Sequence, residues 1–340
     1  MLYGFFIQRF IAFNGDAACT LATQFLTLAE KQRATAPVMI GHRLLGNSLL
    51  VVGDFAEGLA HLDRALALYD PAAHRPLATR FGHDIGAAIL SFRPFALWML
   101  GFPGTALVEA ARPLKAARET DHAPTLIFAL TCTTFTHIFC REYTAANAQI
   151  DECVALAEEK GAVLFKAMAT AERGCVLALT GKAGDAVQTI GAAITGYRST
   201  GCTTWTPWWL SHLAIAHAEL RQFNDAWSCI GEAITAVETT KEKWFEAELN
   251  RIAGEIALIS PKQDAEKAEE YFERALTVAR KQQAKSWELR AAMSMARLWR
   301  DRGKPQQARQ LLAPVYDWFT EGFDTLDLTE AKALLDELNA

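Results

Sequence analysis

The chain has 340 residues, with 34 lysines and arginines against 39 aspartates and glutamates, a net charge of −5. Hydrophobic residues make up 51% and charged residues 21%, a composition typical of a globular protein with a large core. With 21 glycines and 11 prolines the chain is too poor in both for collagen-like, disordered or turn-rich all-β structure, and the mild negative charge gives no case for nucleic-acid binding.

The N-terminal segment MLYGFFIQRFIAF is mostly apolar and ends at Asn14-Gly15-Asp16. A membrane-spanning helix needs about 20 apolar residues, and a signal peptide would begin with basic residues, whereas Arg9 comes late. We therefore predict a core-facing helix over residues 2–13 rather than a membrane anchor. It belongs to a partial N-terminal repeat, residues 1–36, and is poorly covered. The seven scattered cysteines contain no CxxC pair, which favours reduced thiols in a cytoplasmic protein without a membrane partner.

A short turn recurs between amphipathic segments along the rest of the chain. After an opening turn at Asn14, its first residues are Gly53, Gly101, Arg141, Gly181, Arg221 and Gly303. The spacings are 48, 40, 40, 40 and 82 residues. A proline-rich insert around residues 69–76 explains the first spacing. The last spacing, 82 residues, equals two periods, and the turn between these two units is lengthened and lies near Ser260-Pro261-Lys262. Such self-similarity is the signature of a repeat architecture.

Each turn is followed by a small residue, an apolar residue four positions later and, in most units, a small residue three positions after that. The first small residues are Gly58, Ala106, Ala146, Ala186, Ala226, Ala268 and Ala308. This rhythm marks one face of a helix that approaches a neighbouring helix closely. Apolar residues at helical spacing also precede the turns. The predicted fold class is therefore all-α: about eight tandem helical hairpins of period about 40, stacked into a right-handed superhelix. An unrelated helical bundle is the alternative.

The C-terminal region contains a further helix start at Asp327-Leu328-Thr329-Glu330. An N-cap carboxylate with a glutamate three residues later is typical of a capping box. We therefore predict a repeat array over residues 37–328, closed by a C-terminal capping helix within residues 329–340.

The turn and second-helix residues resemble the tetratricopeptide repeat. The matching strings are Gly-Asp-Phe-x-x-Gly at Gly53–Gly58 and aromatic-x-x-Ala at Tyr143/Ala146 and Phe223/Ala226. The chain departs from that superfamily in its period of about 40 residues instead of 34. It also has a degenerate first-helix signature, and it largely lacks the proline between units.

Four segments carry a narrower likeness, to the C-terminal repeat region of bacterial signalling proteins. These proteins resemble fusions of an adenylate/guanylate cyclase domain, an ATPase module and a helical-repeat tail. The segments are GHRLLGNSLLVVGDFAEGL, FGHDIGAAILSFRPFALWMLG, AKSWELRAAMSMARLWRDRGK and WFTEGFDTLDLTEAKALLDEL. The resemblance implies a regulatory or partner-binding tail that does not itself make cyclic nucleotide, with a cyclase or ATPase module as a candidate partner.

Patterns for catalysis or metal binding are weak. The string from Gly174 to Ala183 has the glycines of a phosphate loop two residues too far apart and lacks the hydroxyl that would meet magnesium. His212 and His217 are five residues apart, on different faces of a helix, which is not the spacing of a zinc-binding pair. We predict no catalytic residue, no metal and no cofactor.

Two features indicate a binding surface on the concave face. Trp205-Thr-Pro-Trp208-Trp209 places three indoles at a helix start, where they either pack between repeats, which we favour, or form an aromatic platform with Trp208 facing the groove. Residues 274–309 are strongly basic. The candidate partner-binding residues are Arg290, Arg297, Arg300, Trp208 and His212.

Arg290, Arg297 and Arg300 share one face of a first-type helix. That face either grips acidic peptide ends or an acidic sister domain, or it is a solvated helix face that pairs with the neighbouring acidic stretch, residues 260–273. The predicted function is a non-catalytic interaction scaffold for a protein or peptide partner. A repeat sensor with a small ligand in its groove is the alternative, and an enzyme is a weaker one.

Overall fold

The computed structural model describes residues 2–339, and every regular element in that range is helical. The α-helices are α1 (Leu2–Ile11), α2 (Gly15–Gln32), α3 (Thr35–Val52), α4 (Phe55–Ala67), α5 (Pro71–His74), α6 (Ala78–Phe81), α7 (Ile85–Met99), α8 (Pro103–Arg118), α9 (Ala123–Phe139), α10 (Tyr143–Glu159), α11 (Val163–Leu179), α12 (Ala183–Ser199), α13 (Thr206–Glu219), α14 (Phe223–Thr240), α15 (Glu246–Ile259), α16 (Ala265–Lys281), α17 (Lys285–Asp301), α18 (Pro305–Tyr316) and α19 (Leu326–Glu337). The all-α prediction is confirmed.

Eight hairpins follow one another along the chain. They are α1–α2, α3–α4, α7–α8, α9–α10, α11–α12, α13–α14, α15–α16 and α17–α18, with α19 after the last. The short helices α5 and α6 and the 3₁₀ turn between them form the proline-rich insert. The lengthened turn lies between Ile259 and Ala265. Among residues 2–339 no helix is long and apolar enough to cross a membrane. All seven cysteines are free thiols.

In six of the predicted turns the first residue adopts a left-handed backbone conformation that ends the first helix, whereas Asn14 and Ser260 are extended. Gly53, Gly101, Gly181 and Gly303 have φ values of 90°, 91°, 75° and 74°. Arg141 and Arg221 hold the same turn position at 61° and 62°. Glycine adopts this conformation without steric cost, whereas a residue with a side chain loses about 1 kcal/mol. The two arginines therefore stand where the fold itself would favour glycine.

The small residues after the turns lie where helices touch. The six alanines of the pattern are all fully buried, at 0% exposure: Ala106, Ala146, Ala186, Ala226, Ala268 and Ala308. In the first complete hairpin, a Cβ on Gly46 would lie 2.9 Å from the carbonyl oxygen of Gly58. The backbones of α3 and α4 approach so closely that only glycine fits there. The small–apolar–small pattern therefore reports helix contacts, as the sequence predicts.

We call the leading helix of each hairpin its first helix. Successive turns of the superhelix contact each other through the carboxyl ends of these first helices. The carbonyl of Ile11 accepts from the Thr203 amide at 2.9 Å, and the carbonyl of Val51 accepts from the Lys243 amide at 3.0 Å. The carbonyl of Trp98 accepts from the Ser286 hydroxyl. In each case the donor lies five hairpins further along the chain. Carbonyls at the end of a helix, where intrahelical donors run out, thus accept hydrogen bonds from the next superhelical turn, although the Trp98 carbonyl also accepts from the Gly101 amide.

Aromatic side chains fill the space between these turns. We call this set the aromatic column: Phe95, Trp98, Phe135, Phe139, Trp205, Trp208, Trp244, Phe245 and Trp287. Every member is at most 5% exposed. The rings come from first helices, or from the residues just before them, in five different hairpins. Because the column occupies the interior of the superhelix, much of the trough expected from the repeat pattern is core.

Glu242 is a buried carboxylate that holds two tryptophans of the column. It is 1% exposed, and its Oε1 accepts from the Trp205 backbone amide at 2.8 Å and from Trp244 Nε1 at 2.9 Å. Burial raises the pKa of Glu242 from 4.5 to about 7, although the two hydrogen bonds act in the opposite direction. The folded chain therefore binds this proton more tightly than the unfolded chain does.

We expect Glu242→Gln to remove part of the pH dependence of stability. The amide keeps the Oε1 acceptor, but it does not become charged. In the native chain the stabilisation from protonated Glu242 is complete below the unfolded pKa and is lost as the pH rises through about 7. Between pH 5 and pH 8 the free energy of unfolding of the native chain should therefore fall relative to the variant, by up to about 3 kcal/mol. Urea titrations of both chains across that range measure it, and parallel pH profiles would contradict it.

Candidate functional site on the concave face

One position of the first helix carries polar or ionisable groups in consecutive hairpins. Cys132, Glu172, His212, Arg251 and Arg290 follow each other at spacings of 40, 40, 39 and 39 residues. They lie on α9, α11, α13, α15 and α17, respectively. Because the first helices contact one another along the array, these equivalent positions form a row inside the superhelix. The row becomes basic toward the C-terminal end.

A cavity of about 240 Å³ lies beside the C-terminal half of this row. Its charged lining consists of Arg141, Arg251, Arg290 and one carboxylate, Glu248. The remaining lining is mostly apolar or aromatic and includes Ile138, Phe139, Tyr143, Leu179, Trp208, His212, Ile215, Phe245, Ile252 and Trp287. By residue type the lining is mostly apolar or aromatic, although its exposed surface is more polar than apolar. A concave site with a few converging polar groups is typical of a binding pocket. Three of the five residues predicted from the sequence, Arg290, Trp208 and His212, meet here.

The Arg290 side chain connects its own helix, α17, to α7, α9 and α19. Its Nε donates to Asp327 Oδ2 at 2.7 Å, and its Nη2 donates to the Phe139 carbonyl at 2.6 Å. The guanidinium also lies 5.0 Å from the ring centre of Trp98 and 5.1 Å from that of Trp287. Burial by itself would lower the pKa of Arg290, but the nearby carboxylates outweigh burial and raise that pKa. Arg290 is therefore charged, and it is a structural residue as well as part of the cavity wall.

Arg251 and Glu248 form a two-pronged ion pair on α15. Arg251 Nε donates to Glu248 Oε2 at 2.7 Å, and Nη2 donates to Oε1 at 2.8 Å. The Glu248 side chain is 6% exposed. Burial would lower the pKa of Arg251, but Glu248 and Glu255 outweigh burial and raise it. The pair gives the cavity wall a fixed geometry, and it leaves Arg141 as the more accessible of the three lining arginines, at 27% exposure.

His212 and Trp208 contribute shape to the wall, and neither adds charge. His212 Nδ1 lies 2.9 Å from the Trp208 carbonyl, a distance at which that nitrogen carries the proton. Burial lowers the pKa of His212 to about 4, so the ring is neutral at pH 7. Trp208 is fully buried at 0% exposure and packs against Phe135, with 4.7 Å between ring centres. Trp208 therefore packs between repeats, which is the interpretation favoured from the sequence, although its ring also borders the cavity.

The remaining two predicted arginines lie outside the cavity and pair with α19. Arg297 Nη2 is 3.3 Å from Glu330 Oε2, and Arg300 Nη1 is 2.6 Å from Glu337 Oε2. Arg141 reaches the same helix, with Nη1 2.7 Å from Glu330 Oε1 and Nη2 3.1 Å from Asp327 Oδ1. We call Arg141, Arg290 and Arg297 the arginine face. Its partners are carboxylates of the chain's own C-terminal helix.

The predicted capping role of Asp327 is wrong. α19 begins at Leu326 after Thr325, which is the N-cap residue. Asp327 lies in the first turn, where a negative charge is favoured by the helix dipole. Its carboxylate contacts Arg290 and Arg141 and caps no backbone amide. The capping-box pattern pointed to a helix in this region but placed its N-cap two residues too late, and the Asp327 charge serves a tertiary contact.

Sequence reasoning missed Arg141, Glu248 and Arg251 as members of the site. Arg251 stands one period before Arg290, so an alignment of the first helices would have found it. Arg141 occupies a turn position that is glycine in four other hairpins, which is a further signal. Glu248 stands one period after Trp208, and only the three-dimensional packing reveals its role as the partner of Arg251.

No arrangement suited to metal binding is present in the part of the chain that the structure describes. Within residues 2–339 no three His, Cys, Asp or Glu side chains cluster closely enough to hold a metal ion.

Glu172 is fully buried, and neither of its carboxylate oxygens accepts a hydrogen bond from residues 2–339. Burial raises its pKa well above the usual range, which favours the neutral acid.

Comparison with known proteins places the fold but not the function. No protein-family model matches the chain, and no curated protein matches it significantly. Among solved structures, the apo form of RapI aligns with a TM-score of 0.55 and 13% identity, covering 88% of this chain and 99% of that one. The Rap conjugation gene regulator of plasmid pLS20, solved in complex with the Phr* peptide, aligns with a TM-score of 0.59 and 9% identity, covering 89% and 75%. The chain has a tetratricopeptide-like helical-repeat fold.

Proposed function

We propose that this chain is a non-catalytic, cytoplasmic regulatory scaffold that binds a peptide segment of a protein partner on its concave face. The observation that carries the proposal is the convergence of Arg141, Arg251 and Arg290 on one cavity of about 240 Å³. A cavity of this size accommodates an anchoring side chain or a chain terminus, and it is below the usual range of pockets for whole small ligands, about 300–1,000 Å³. The three guanidinium groups favour a carboxylate in that position, and a partner carboxylate would compete for them with Glu248, Asp327 and Glu330.

The fold comparison supports a peptide as the partner. The pLS20 regulator, which shares this fold, was solved with a peptide bound. In helical-repeat proteins the inner surface is the usual place for an extended or helical segment. The partner of this chain would therefore be an acidic peptide segment.

Two finer assignments remain proposals. The four segments that resemble cyclase–ATPase–repeat proteins support a role as the repeat tail of such a signalling system, with a cyclase or ATPase module as partner. A cyclase or ATPase reading frame directly upstream would support that assignment, and its absence would count against it. A repeat sensor that holds a small anion in the cavity is the second candidate, supported by the cavity's small volume. A crosslinking survey without a protein partner, together with a tight small-molecule ligand, would favour it.

Arg141→Gly tests the proposal, and the gain in backbone conformation offsets part of the cost of losing the ion pairs to Asp327 and Glu330. The left-handed φ of 61° at this turn favours glycine, so the variant relieves backbone strain while it removes a cavity arginine. Peptides selected from a random display library on the native chain should be rich in Asp and Glu. They should bind Arg141→Gly about tenfold more weakly, the loss expected for one charge-assisted contact.

Arg221→Gly is the matched control. It makes the same change at the equivalent turn, where φ is 62° and the side chain lies outside the cavity. The selected peptides should bind this variant as they bind the native chain. Peptides without acidic residues, or peptides that bind both variants equally, would contradict the proposed site.

A further inference from the structure

α19 takes the place of a ninth first helix in the stack. Arg141, just after α9, reaches α19 with its side chain, whereas the ends of α1, α3 and α7 contact elements five hairpins later through their backbone carbonyls. Both kinds of contact span five hairpins. One side of α19 packs Leu328, Ala331 and Leu335 into the core that it shares with α17 and α18. Asp327 and Glu330 lie beside this apolar side, on the same face as the buried Leu334, and present their carboxylates to the arginine face.

We propose that the arginine face is a docking surface for an acidic helix, and that α19 is its resident occupant, which an acidic helical partner displaces. The inference rests on the proposed function, because Arg141 and Arg290 belong both to the cavity wall and to the contact with α19. A partner carboxylate that engages these two arginines withdraws them from Asp327 and Glu330.

The resident contacts define the chemistry of the partner. Asp327 and Glu330 are three residues apart, so they lie on one face of α19, and Glu337 follows two turns later on the same face. Asp327 pairs with Arg290, and Glu330 pairs with both Arg141 and Arg297. Glu337 pairs with Arg300. The surface therefore fits a helix with carboxylates at positions i, i+3 and i+10.

The charged contacts are of a kind that a competitor can replace. Arg141 is 27% exposed, Glu330 33% and Arg297 42%, so water already competes for these pairs. Arg141 also keeps a left-handed backbone that glycine adopts more readily. Residues 317–325 connect α18 to α19 without a regular helix, and Glu321 anchors this connection by accepting from Thr105 Oγ1 at 2.6 Å. Displacement keeps this connection in place, and the partner helix must cover the core positions that Leu328, Leu334 and Leu335 of α19 fill.

The test uses the full chain and a labelled synthetic peptide of residues 324–340 as the acidic helical probe. The variant Asp327→Asn/Glu330→Gln removes both charges from α19 and keeps the side-chain shapes. Asp336→Asn is the matched control, because Asp336 pairs with Lys332 on the same helix and does not touch the arginine face. Affinity is measured by fluorescence anisotropy, and release of α19 by amide hydrogen exchange of residues 326–337.

We expect the double variant to bind the probe at least about tenfold more tightly than the native chain, with faster amide exchange in α19. Asp336→Asn should match the native chain, and a probe carrying both substitutions should not bind. Equal probe affinity for all three proteins would overturn the inference. Should the double variant unfold, Arg141→Gly serves instead, with faster exchange in α19 as the expected result and unchanged exchange as the opposing one.

The outcomes separate this inference from the proposed function. Library-selected peptides that bind the cavity while the exchange of α19 stays unchanged would overturn displacement and leave the peptide site intact. If the probe binds the double variant but no library peptide depends on Arg141, the peptide site is overturned and displacement of α19 is supported. Concentration-dependent dimers of the native chain, with α19 exchanged between copies, would make a second copy the occupant and overturn displacement by an external partner.

Discussion

Phe139→Ala should lower the free energy of unfolding by about 3–5 kcal/mol, the range for truncating a buried aromatic residue. Phe139 is 2% exposed, and its ring lies 5.0 Å from that of Trp98 and 5.5 Å from that of Trp287. It also contacts Trp208 and Trp244. The substitution therefore opens a cavity where two turns of the superhelix meet. Urea denaturation followed by circular dichroism measures the loss.

Two comparisons sharpen this prediction. Phe323 is 49% exposed and pairs with the Tyr316 ring, so Phe323→Ala should cost less than about 1 kcal/mol. Phe139→Leu keeps most of the volume and should fall between the two. If Phe139→Ala destabilised the chain no more than Phe323→Ala, the aromatic column would not be the contact between superhelical turns that the structure indicates.

Arg290→Met is the second substitution with a large expected effect, a loss of about 3 kcal/mol. Methionine preserves much of the packing against Trp98 and Trp287. It leaves the Phe139 carbonyl without its donor, and it takes one of two arginine partners from Asp327, which is 12% exposed. The cost comes from polar groups left buried and poorly paired, so it should exceed the cost of losing the exposed ion pairs nearby.

Arg300→Met is the control for the charge itself. Arg300 is 37% exposed and Glu337 59%, and such pairs contribute about 0–1 kcal/mol. A double-mutant cycle with Asp327→Leu adds an internal check, because removal of both charges should cost less than the sum of the single losses. Additive losses would mean that Arg290 and Asp327 do not depend on each other.

Local regularities explain why so much of the fold was predictable. The turns at Gly101, Arg141 and Gly181 and the small residues that follow them are spaced by the length of one hairpin, and every hairpin solves the same packing problem. The arginines of α17 were identifiable because residues 290, 297 and 300 share one helix face. Their partners were not identifiable, because Asp327 and Glu330 read equally well as a capping box.

The amino-acid sequence by itself determined the all-α class, the period of about 40 residues, the turns and the helix contacts. Each of these depends on interactions within one hairpin or with its neighbour, and such interactions leave a periodic trace. Tertiary structure alone decided that Trp208 belongs to a core, that Arg141 joins Arg290 at one cavity, and that α19 covers the arginine face. These contacts join residues up to five hairpins apart, and their register depends on the small rotation between hairpins summed over a whole superhelical turn. No short pattern in the sequence encodes that sum.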